Sequence, residues 1–237
     1  MSSVTAIVLA AGQGTRMKSA VPKQYLAVGG RPVLLHSLQL MEESSAVQHV
    51  VLVVGSRDVD PVQEMLAPYA LTKLHQVVPG GKERSHSVYH GLKALPEDCA
   101  WVVVHDGVRP FFTLTLLERV IRAAKTCGAA IPGVPVKDTI KVCDEQGLVV
   151  TTPPRQSLWA VQTPQAFRRD WLVEAYEKAM EDGITATDDA GLVERLGRPV
   201  QVVQGEYTNI KITTPEDLAL AELIWERRQQ DARGHRF

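Results

Sequence analysis

Near its start the chain reads Thr5-Ala-Ile-Val-Leu-Ala10, followed by the glycine-bearing stretch Ala11-Gly-Gln-Gly-Thr-Arg-Met17. The unbroken run of apolar and small residues predicts a β-strand buried on both faces, because a strand with one solvated face alternates apolar with polar residues. Glycines directly after it predict a tight loop at its carboxyl end. Parallel α/β sheets bind ligands at that edge, so we expect the functional site to lie there.

The same unit recurs through the first half of the chain. Apolar runs predict further buried strands over 50–54, 74–78, 101–104 and 129–134. Between them, apolar residues at helical spacing predict helices over 32–43, 60–69, 84–95 and 113–128. Alternating strands and helices predict an α/β fold, with a Rossmann-like, mostly parallel sheet covered by helices on both faces.

The pattern changes after residue 136. Two alternating segments, 138–143 and 148–152, flank Asp144-Glu-Gln-Gly147 and predict a β-hairpin. We expect a single domain over 1–237, from which 137–160 projects as a β-arm. A hairpin alone in water is marginally stable, and packing against a second copy in a two-fold dimer would stabilise it. Further helices are predicted over 170–182, 187–197 and 214–230, and further strands over 200–203 and 208–213.

Composition excludes several classes of protein. The 237 residues are 45% hydrophobic and 22% charged, and 26 basic against 27 acidic residues give a net charge of −1. This balance argues against a nucleic-acid partner, which a basic surplus would indicate. No apolar run is long enough to span a bilayer. Cys99, Cys127 and Cys143 are too far apart for a CxxC metal site, so we expect a cytoplasmic protein with reduced cysteines and no membrane partner.

The first loop does not match the common phosphate-binding patterns. Met17 stands where both the dinucleotide fingerprint and the P-loop require glycine. Gly12 and Gly14 nevertheless allow backbone N–H groups to approach a ligand, and Arg16 and Lys23 bring cations to the same strand end. Exposed glycines beside two cations suit a triphosphate.

Four ordered motifs give a more specific indication: Ala10-Ala-Gly-x-Gly-x-Arg-Met17 with Pro22-Lys23-Gln24, Gly80-Gly-Lys-Glu-Arg-Ser-His-Ser-Val88, Val104-His-Asp-Gly-Val-Arg-Pro110 and Asn209-Ile-Lys-Ile-Thr-Thr-Pro-Glu-Asp217. Together they resemble the 2-C-methyl-D-erythritol 4-phosphate cytidylyltransferase family of the non-mevalonate isoprenoid pathway. The resemblance covers essentially the whole chain. It implies transfer of CMP from CTP to the acceptor phosphate, with release of pyrophosphate.

The resemblance also implies roles for single residues. Arg16 and Lys23 would stabilise the transition state, and Lys211 and Arg155 would position the acceptor. Residues expected to bind CTP are Ala10, Ala11, Gly12, Gly14, Gly81, Ser87 and Asp106. Residues expected to bind the acceptor are Arg109, Thr139, Arg155 and Thr187. His105 is expected to be structural, because the reaction assigns it no proton transfer.

Asp106 is the predicted metal ligand. It follows a valine-rich strand, and a carboxylate at the carboxyl edge of a sheet can hold Mg²⁺ together with phosphate oxygens and waters. The family resemblance also implies a homodimer with interlocked arms, in which Arg155 could reach the neighbour's acceptor site.

Other functions are open at this point. Gly107-Val108 and Ser85-His86 depart from residues common in the family, which leaves a ribitol 5-phosphate cytidylyltransferase as the main alternative. A nucleotide-binding regulatory module without turnover is a second alternative, but it would not require Arg16 and Lys23. A dehydrogenase is disfavoured by Met17, since the third glycine of its fingerprint is missing.

Overall fold

The computed structural model describes residues 3–12, 15–17, 19, 21–184 and 188–234. Its strands are Ser3–Ala10 (β1), Ala27–Val28 (β2), Arg31–Pro32 (β3), His49–Val54 (β4), Leu74–Pro79 (β5), Cys99–Asp106 (β6), Ala129–Pro135 (β7), Val142–Cys143 (β8), Val149–Thr151 (β9), Trp159–Val161 (β10), Gln165–Arg168 (β11) and Gln201–Gln204 (β12). Its α-helices are Val33–Glu43 (α1), Val59–Leu66 (α2), Arg84–Lys93 (α3), Leu114–Cys127 (α4), Arg169–Glu181 (α5), Asp189–Arg195 (α6) and Pro215–Gly234 (α7).

One large sheet organises the molecule. Its strands follow the order β5-β4-β1-β6-β11-β7, and β10 and β12 also pair with β7. Strands β5, β4, β1 and β6 are mutually parallel, and β12 is parallel to β7. Strands β10 and β11 are antiparallel to their neighbours. The α/β class and mostly parallel sheet predicted from the sequence are therefore confirmed.

The strand order reverses at β1. The chain passes from β1 to β4 on one side and later returns to β6 on the other. A doubly wound sheet opens a crevice beyond the carboxyl ends of its strands at such a reversal, because the two connecting helices lie on opposite sides. Leu9 near the end of β1 is in register with Asp106 at the end of β6. The topology thus brings the first loop and Asp106 to one crevice.

Helices cover both faces of the sheet. Ala6 and Val8 of β1 pack with α1, α2 and α4. Ile7 and Leu9 point to the other face and pack with α3, α5 and α6. Because successive strand residues face opposite sides, burial of both faces requires the continuous apolar run seen in the sequence. Helix α7 packs separately, against Val28, Val108 and Ile212.

Several boundaries differ from the sequence-based predictions. Residues 208–213 do not form a strand, since Ile212 donates instead to the Val108 carbonyl at 2.9 Å. Helix α2 begins at Val59 rather than at Asp60. Helix α7 continues to Gly234, beyond its predicted end at 230. The antiparallel strands β10 and β11 were not predicted.

The predicted hairpin is present as β8 paired with β9. It is shorter than expected, and most residues of 137–161 are exposed. The exposed apolar side chains include Leu148 at 67%, Val149 at 58% and Val150 at 66%.

No helix within the described ranges is both long and apolar enough to cross a membrane.

Candidate active site

A pocket of about 320 Å³ lies beyond the end of β1 and is called here the strand-end pocket. Its wall contains the following residues predicted to bind CTP: Ala10, Ala11, Gly12, Gly81, Ser87 and Asp106. Lys23 and Lys211 line it as well. Residues from five separate segments of the chain therefore meet in one cavity.

The Gly80-Gly81 turn forms one wall because it passes very close to its neighbours. A Cβ on Gly80 would lie 2.4 Å from Ala11 Cβ, and one on Gly81 would lie 2.3 Å from His86 Cβ. Ser87 Oγ accepts a hydrogen bond from Gly81 N at 3.1 Å and donates one to the Glu83 carbonyl at 3.1 Å. Ser87 thus fixes the turn that brings Gly81 into the pocket.

Lys23 is held in the pocket by a short helical turn, 23–25. The side chain of the next residue, Gln24, donates to the Ala10 carbonyl at 2.8 Å and ties this turn to the end of β1. Lys23 is only 9% exposed. Burial lowers its pKa from the usual value, and the positive charges of Lys211 and Arg16 lower it further. These cations repel one another in the free protein, which favours an anionic ligand between them.

Asp106 is the negative centre of the pocket. Its Oδ2 lies 2.7 Å from Lys211 Nζ and 3.8 Å from Arg109 Nε, and its Oδ1 lies 3.5 Å from Arg84 Nε. Burial acts to raise the pKa of Asp106, but the charges of Lys211, Arg84 and Arg109 outweigh it and hold that pKa well below its usual range. Asp106 is therefore a carboxylate at physiological pH.

Arg84 joins this pocket to helices α5 and α6. Its guanidinium donates two hydrogen bonds to Asp189, at 2.9 and 2.7 Å. Asp189 is fully buried and also accepts from the Tyr176 hydroxyl at 2.5 Å. Burial acts to lower the pKa of Arg84, but Asp189 reverses this effect and raises it. Arg84 is thus a permanent cation anchored on a buried carboxylate.

A second pocket of about 410 Å³ adjoins the first and shares Arg84, Asp106 and Lys211 with it. Arg109, predicted to bind the acceptor, lines this second pocket. Two cavities that meet at one carboxylate and several cations can hold two anionic ligands side by side.

Comparison with known proteins identifies the family. The family model described as IspD, 2-C-methyl-D-erythritol 4-phosphate cytidylyltransferase, matches residues 4–227. The chain belongs to this family. It is accordingly a cytidylyltransferase of the non-mevalonate isoprenoid pathway, as the sequence motifs predicted.

Individual relatives agree along nearly the whole chain. The 2-C-methyl-D-erythritol 4-phosphate cytidylyltransferase of Desulforamulus reducens is 46% identical over 96% of this chain and 98% of its own length. That of Pelotomaculum thermopropionicum is 49% identical over 97% of both chains. The crystal structure of 4-diphosphocytidyl-2C-methyl-D-erythritol synthase from Anaerococcus prevotii superimposes with a TM-score of 0.84, at 36% identity, over 94% of this chain and 96% of that one.

The remaining predicted site residues of this cytidylyltransferase lie elsewhere. Arg16 is exposed, and its charge is felt by Lys23. Thr139 and Arg155 are exposed on the arm, where Arg155 Nη1 donates to the Lys137 carbonyl at 2.9 Å. Among the described residues, neither Thr139 nor Arg155 lines the two pockets of its own chain. Gly14 and Thr187 lie outside the described residues.

Sequence reasoning missed Arg84, Gln24 and Asp189. Arg84 and Gln24 stand inside motifs that carried the family resemblance, so their position beside glycines and cations was an available signal. Asp189 follows another aspartate and looks like an ordinary residue at a helix start. Its burial against Arg84 and Tyr176 could not be seen without the packing of α5 and α6.

Proposed function

We propose that the strand-end pocket is where the chain binds CTP and transfers CMP to 2-C-methyl-D-erythritol 4-phosphate, releasing pyrophosphate. One observation carries this proposal: Asp106, at the boundary that the two pockets share, is paired with Lys211, Arg84 and Arg109, and Lys23 lines the first pocket. In this arrangement the first pocket holds the nucleotide and the second holds the acceptor.

The chemistry requires mainly positive charge. The attacking atom is an oxygen of the acceptor phosphate, which is already an anion and needs no general base. Bringing two phosphates together costs electrostatic energy, and negative charge grows on the α-phosphate and the leaving pyrophosphate. Cations fixed before the reaction offset both costs without reorganising during it. Lys23 and Arg16 take this role in the proposal, while Lys211 holds the acceptor phosphate beside the α-phosphate.

Recognition of the base is assigned to backbone groups. Ala10, Ala11 and Gly81 have small side chains or none, so their peptide groups can reach the edge of cytosine. Ser87 supports this wall through its hydrogen bond with Gly81. The close contacts around Gly80 and Gly81 leave little room to widen the wall for a purine.

Asp106 would hold a magnesium ion in the complex. No group of three metal-ligating side chains gathers anywhere among the described residues, so a cage made entirely of protein is not available there. A single carboxylate fits Mg²⁺ nonetheless, because this ion keeps several waters and takes other oxygens from substrate phosphates. Oδ1 of Asp106 has a contact of 3.5 Å with Arg84 and is the less tightly engaged oxygen. When bound, the ion would supply further positive charge to the triphosphate.

Asp106→Asn is expected to reduce Mg²⁺-dependent turnover sharply, since the amide loses the negative charge and presents a weaker ligand. Circular dichroism should remain that of the wild type. The measurement is a Mg²⁺ titration of initial rate at saturating CTP. A variant that titrates with Mg²⁺ like the wild type would exclude Asp106 as the metal ligand.

The acceptor site is proposed to be completed by a second chain. Arg109 lines the second pocket of its own chain, whereas Thr139 and Arg155 lie on the exposed arm. In this proposal the chain is a single domain, residues 137–160 pack against a partner's arm, and Arg155 and Thr139 enter the partner's acceptor pocket. The exposed apolar residues Leu148, Val149 and Val150 support such packing.

The test of the reaction is direct. Purified full-length protein is incubated with CTP, Mg²⁺ and either 2-C-methyl-D-erythritol 4-phosphate or ribitol 5-phosphate, and pyrophosphate release is followed. Release with the methylerythritol phosphate, and little with ribitol phosphate, is the expected result. Faster turnover of ribitol phosphate would overturn the assignment of the acceptor.

A further inference from the structure

Three buried polar side chains have no part in the chemistry described above: one lines the second pocket, and the other two lie in contact with it outside both pockets. They are His105, Thr163 and Asn209, which are 0%, 4% and 0% exposed and are called here the buried triplet. Burying a polar group is costly unless it is hydrogen-bonded, so the partners of these side chains indicate what they do.

Thr163 joins the end of β6 to His105. Its Oγ accepts a hydrogen bond from the backbone N–H of Asp106 at 3.0 Å and lies 3.0 Å from His105 Nδ1. Because a carbonyl oxygen can only accept, the contact between His105 Nε2 and the Arg109 carbonyl makes Nδ1 the acceptor of the hydroxyl proton. The ring proton of neutral His105 is then on Nε2, which donates to the Arg109 carbonyl at 3.2 Å. Burial lowers the pKa of His105 to about 3, consistent with a neutral ring.

Asn209 connects the same group to the segment that carries Lys211. Its Nδ2 donates to the Thr163 carbonyl at 2.9 Å, and its backbone carbonyl accepts from Arg109 Nη1 at 2.9 Å. Lys211 follows two residues later, with Nζ 2.7 Å from Asp106 Oδ2. The hydrogen bonds therefore tie together the backbones that carry Asp106, Arg109 and Lys211.

Asp106 ends strand β6, but Arg109 and Lys211 lie on segments that the sheet alone does not fix. Arg109 lies three residues beyond the end of β6, and Lys211 lies in a stretch without regular secondary structure. Hydrogen bonds within a buried network make such segments rigid, and here every member has at least one, although Asn209 Oδ1 and Arg109 Nε have no hydrogen-bond partner in the part of the chain that the structure describes. A misplacement of only 1 Å can cost about 100-fold in rate.

We propose that the buried triplet sets the relative positions of Asp106, Arg109 and Lys211 and that Thr163 is a positioning residue for CMP transfer. This inference rests on the roles proposed above for the three charged residues. Thr163 lines the second pocket, but its hydroxyl is already engaged with the Asp106 N–H and with His105 Nδ1. Its hydroxyl links the Asp106 backbone to His105, and its carbonyl anchors Asn209.

The test is Thr163→Val, which keeps the shape of the side chain and removes the hydroxyl. We expect kcat to fall by about 10-fold to 100-fold, the range for misplaced reacting groups. KM for CTP should change little, because the base-binding wall belongs to β1 and the Gly80-Gly81 turn. Thr163→Ser keeps the hydroxyl and should recover most of the lost kcat.

Thr5→Val is the matched control. Thr5 is a buried threonine in the first half of β1, away from the carboxyl edge of the same sheet. Thr5 Oγ has no hydrogen-bond partner among the described residues whereas the Thr163 hydroxyl has two, so the melting temperature of each variant is measured as well. Positioning is then a fall in kcat of Thr163→Val at a temperature where that variant remains folded. Thr163→Ala compared with Thr163→Ser gives a second measurement, since both lose the same methyl group and differ only in the hydroxyl.

Wild-type kcat in Thr163→Val, or equal kcat in the serine and alanine variants, would overturn the proposal. A rise in KM for CTP or for the acceptor at unchanged kcat would also overturn it, because the residue would then act only in binding. Failure of the underlying function is distinguishable: Asp106→Asn would then retain full activity, whereas failure of the positioning role alone leaves Asp106→Asn impaired and Thr163→Val active.

Discussion

Replacing Lys23 by alanine is expected to lower kcat on the order of 100-fold or more, the scale observed when one donor to a transition state is removed. The physical reason is its position: Lys23 is 9% exposed, lines the strand-end pocket and is close enough to Lys211 and Arg16 for their charges to lower its pKa. In a partly buried site, water screens the phosphate charge poorly, so the loss of one cation is not made up by solvent. Arg16→Ala is expected to behave in the same way.

Steady-state kinetics with CTP and 2-C-methyl-D-erythritol 4-phosphate provides the measurement. CTP binding should be reduced less than kcat, since cations that act on developing charge contribute most in the transition state. Lys125→Ala is the control. Lys125 is exposed near the carboxyl end of α4, which leads through Gly128 into the first residue of β7 and therefore lies away from the strand-end pocket. A near-normal kcat combined with a large rise in KM would mean that Lys23 contributes only to binding of the ground state.

Mixing two inactive variants, Arg155→Ala and Lys23→Ala, is expected to restore activity to about a quarter of the wild-type value, from random pairing in a two-fold dimer. The reason is the placement of Arg155 on the exposed arm, apart from both pockets of its own chain. If each site takes Lys23 from one chain and Arg155 from the other, a hybrid dimer contains one intact site and one doubly defective site.

The two variants are unfolded together, refolded and assayed for pyrophosphate release, with each variant refolded alone as the control. Sedimentation establishes the oligomeric state first, and a monomer would end the hypothesis at that step. A mixture that remains inactive although dimers form would place Arg155 in the site of its own chain.

The central fold could be predicted because its signals are local. A run such as Thr5–Ala10 has no polar face, and Ile7 and Leu9 pack on one side of the sheet while Ala6 and Val8 pack on the other. Helix α4 begins after Thr113, whose side chain accepts from Leu116 N at 3.1 Å, and ends at Gly128, where φ is +99°. Both ends are encoded by one or two residues and agree with the predicted helix.

The strands β10 and β11 could not be predicted in this way. Gln165–Arg168 is short, and it becomes a strand by pairing with β6 and β7, which supply its hydrogen-bond partners. Similarly, residues 208–213 have the composition of a strand, but Ile212 bonds to Val108 and no ladder forms. Whether such a segment forms a strand depends on the strands available to pair with it, and those are set by the arrangement of the whole sheet.

The same distinction between local signals and tertiary contacts applies to the residues of the site. By itself the sequence determined which residue types are available at the strand ends, because the loop after β1, Asp106 and the Asn209-Ile-Lys211 motif are each contained in a few adjacent residues. Only the tertiary structure decided that Lys211 lies 2.7 Å from Asp106, that Arg84 is anchored on Asp189, and that Thr163 connects Asp106 to His105. These contacts join segments far apart in the chain, and their distances are set by the strand order and by the packing of helices on the two faces, which no local pattern of residues specifies.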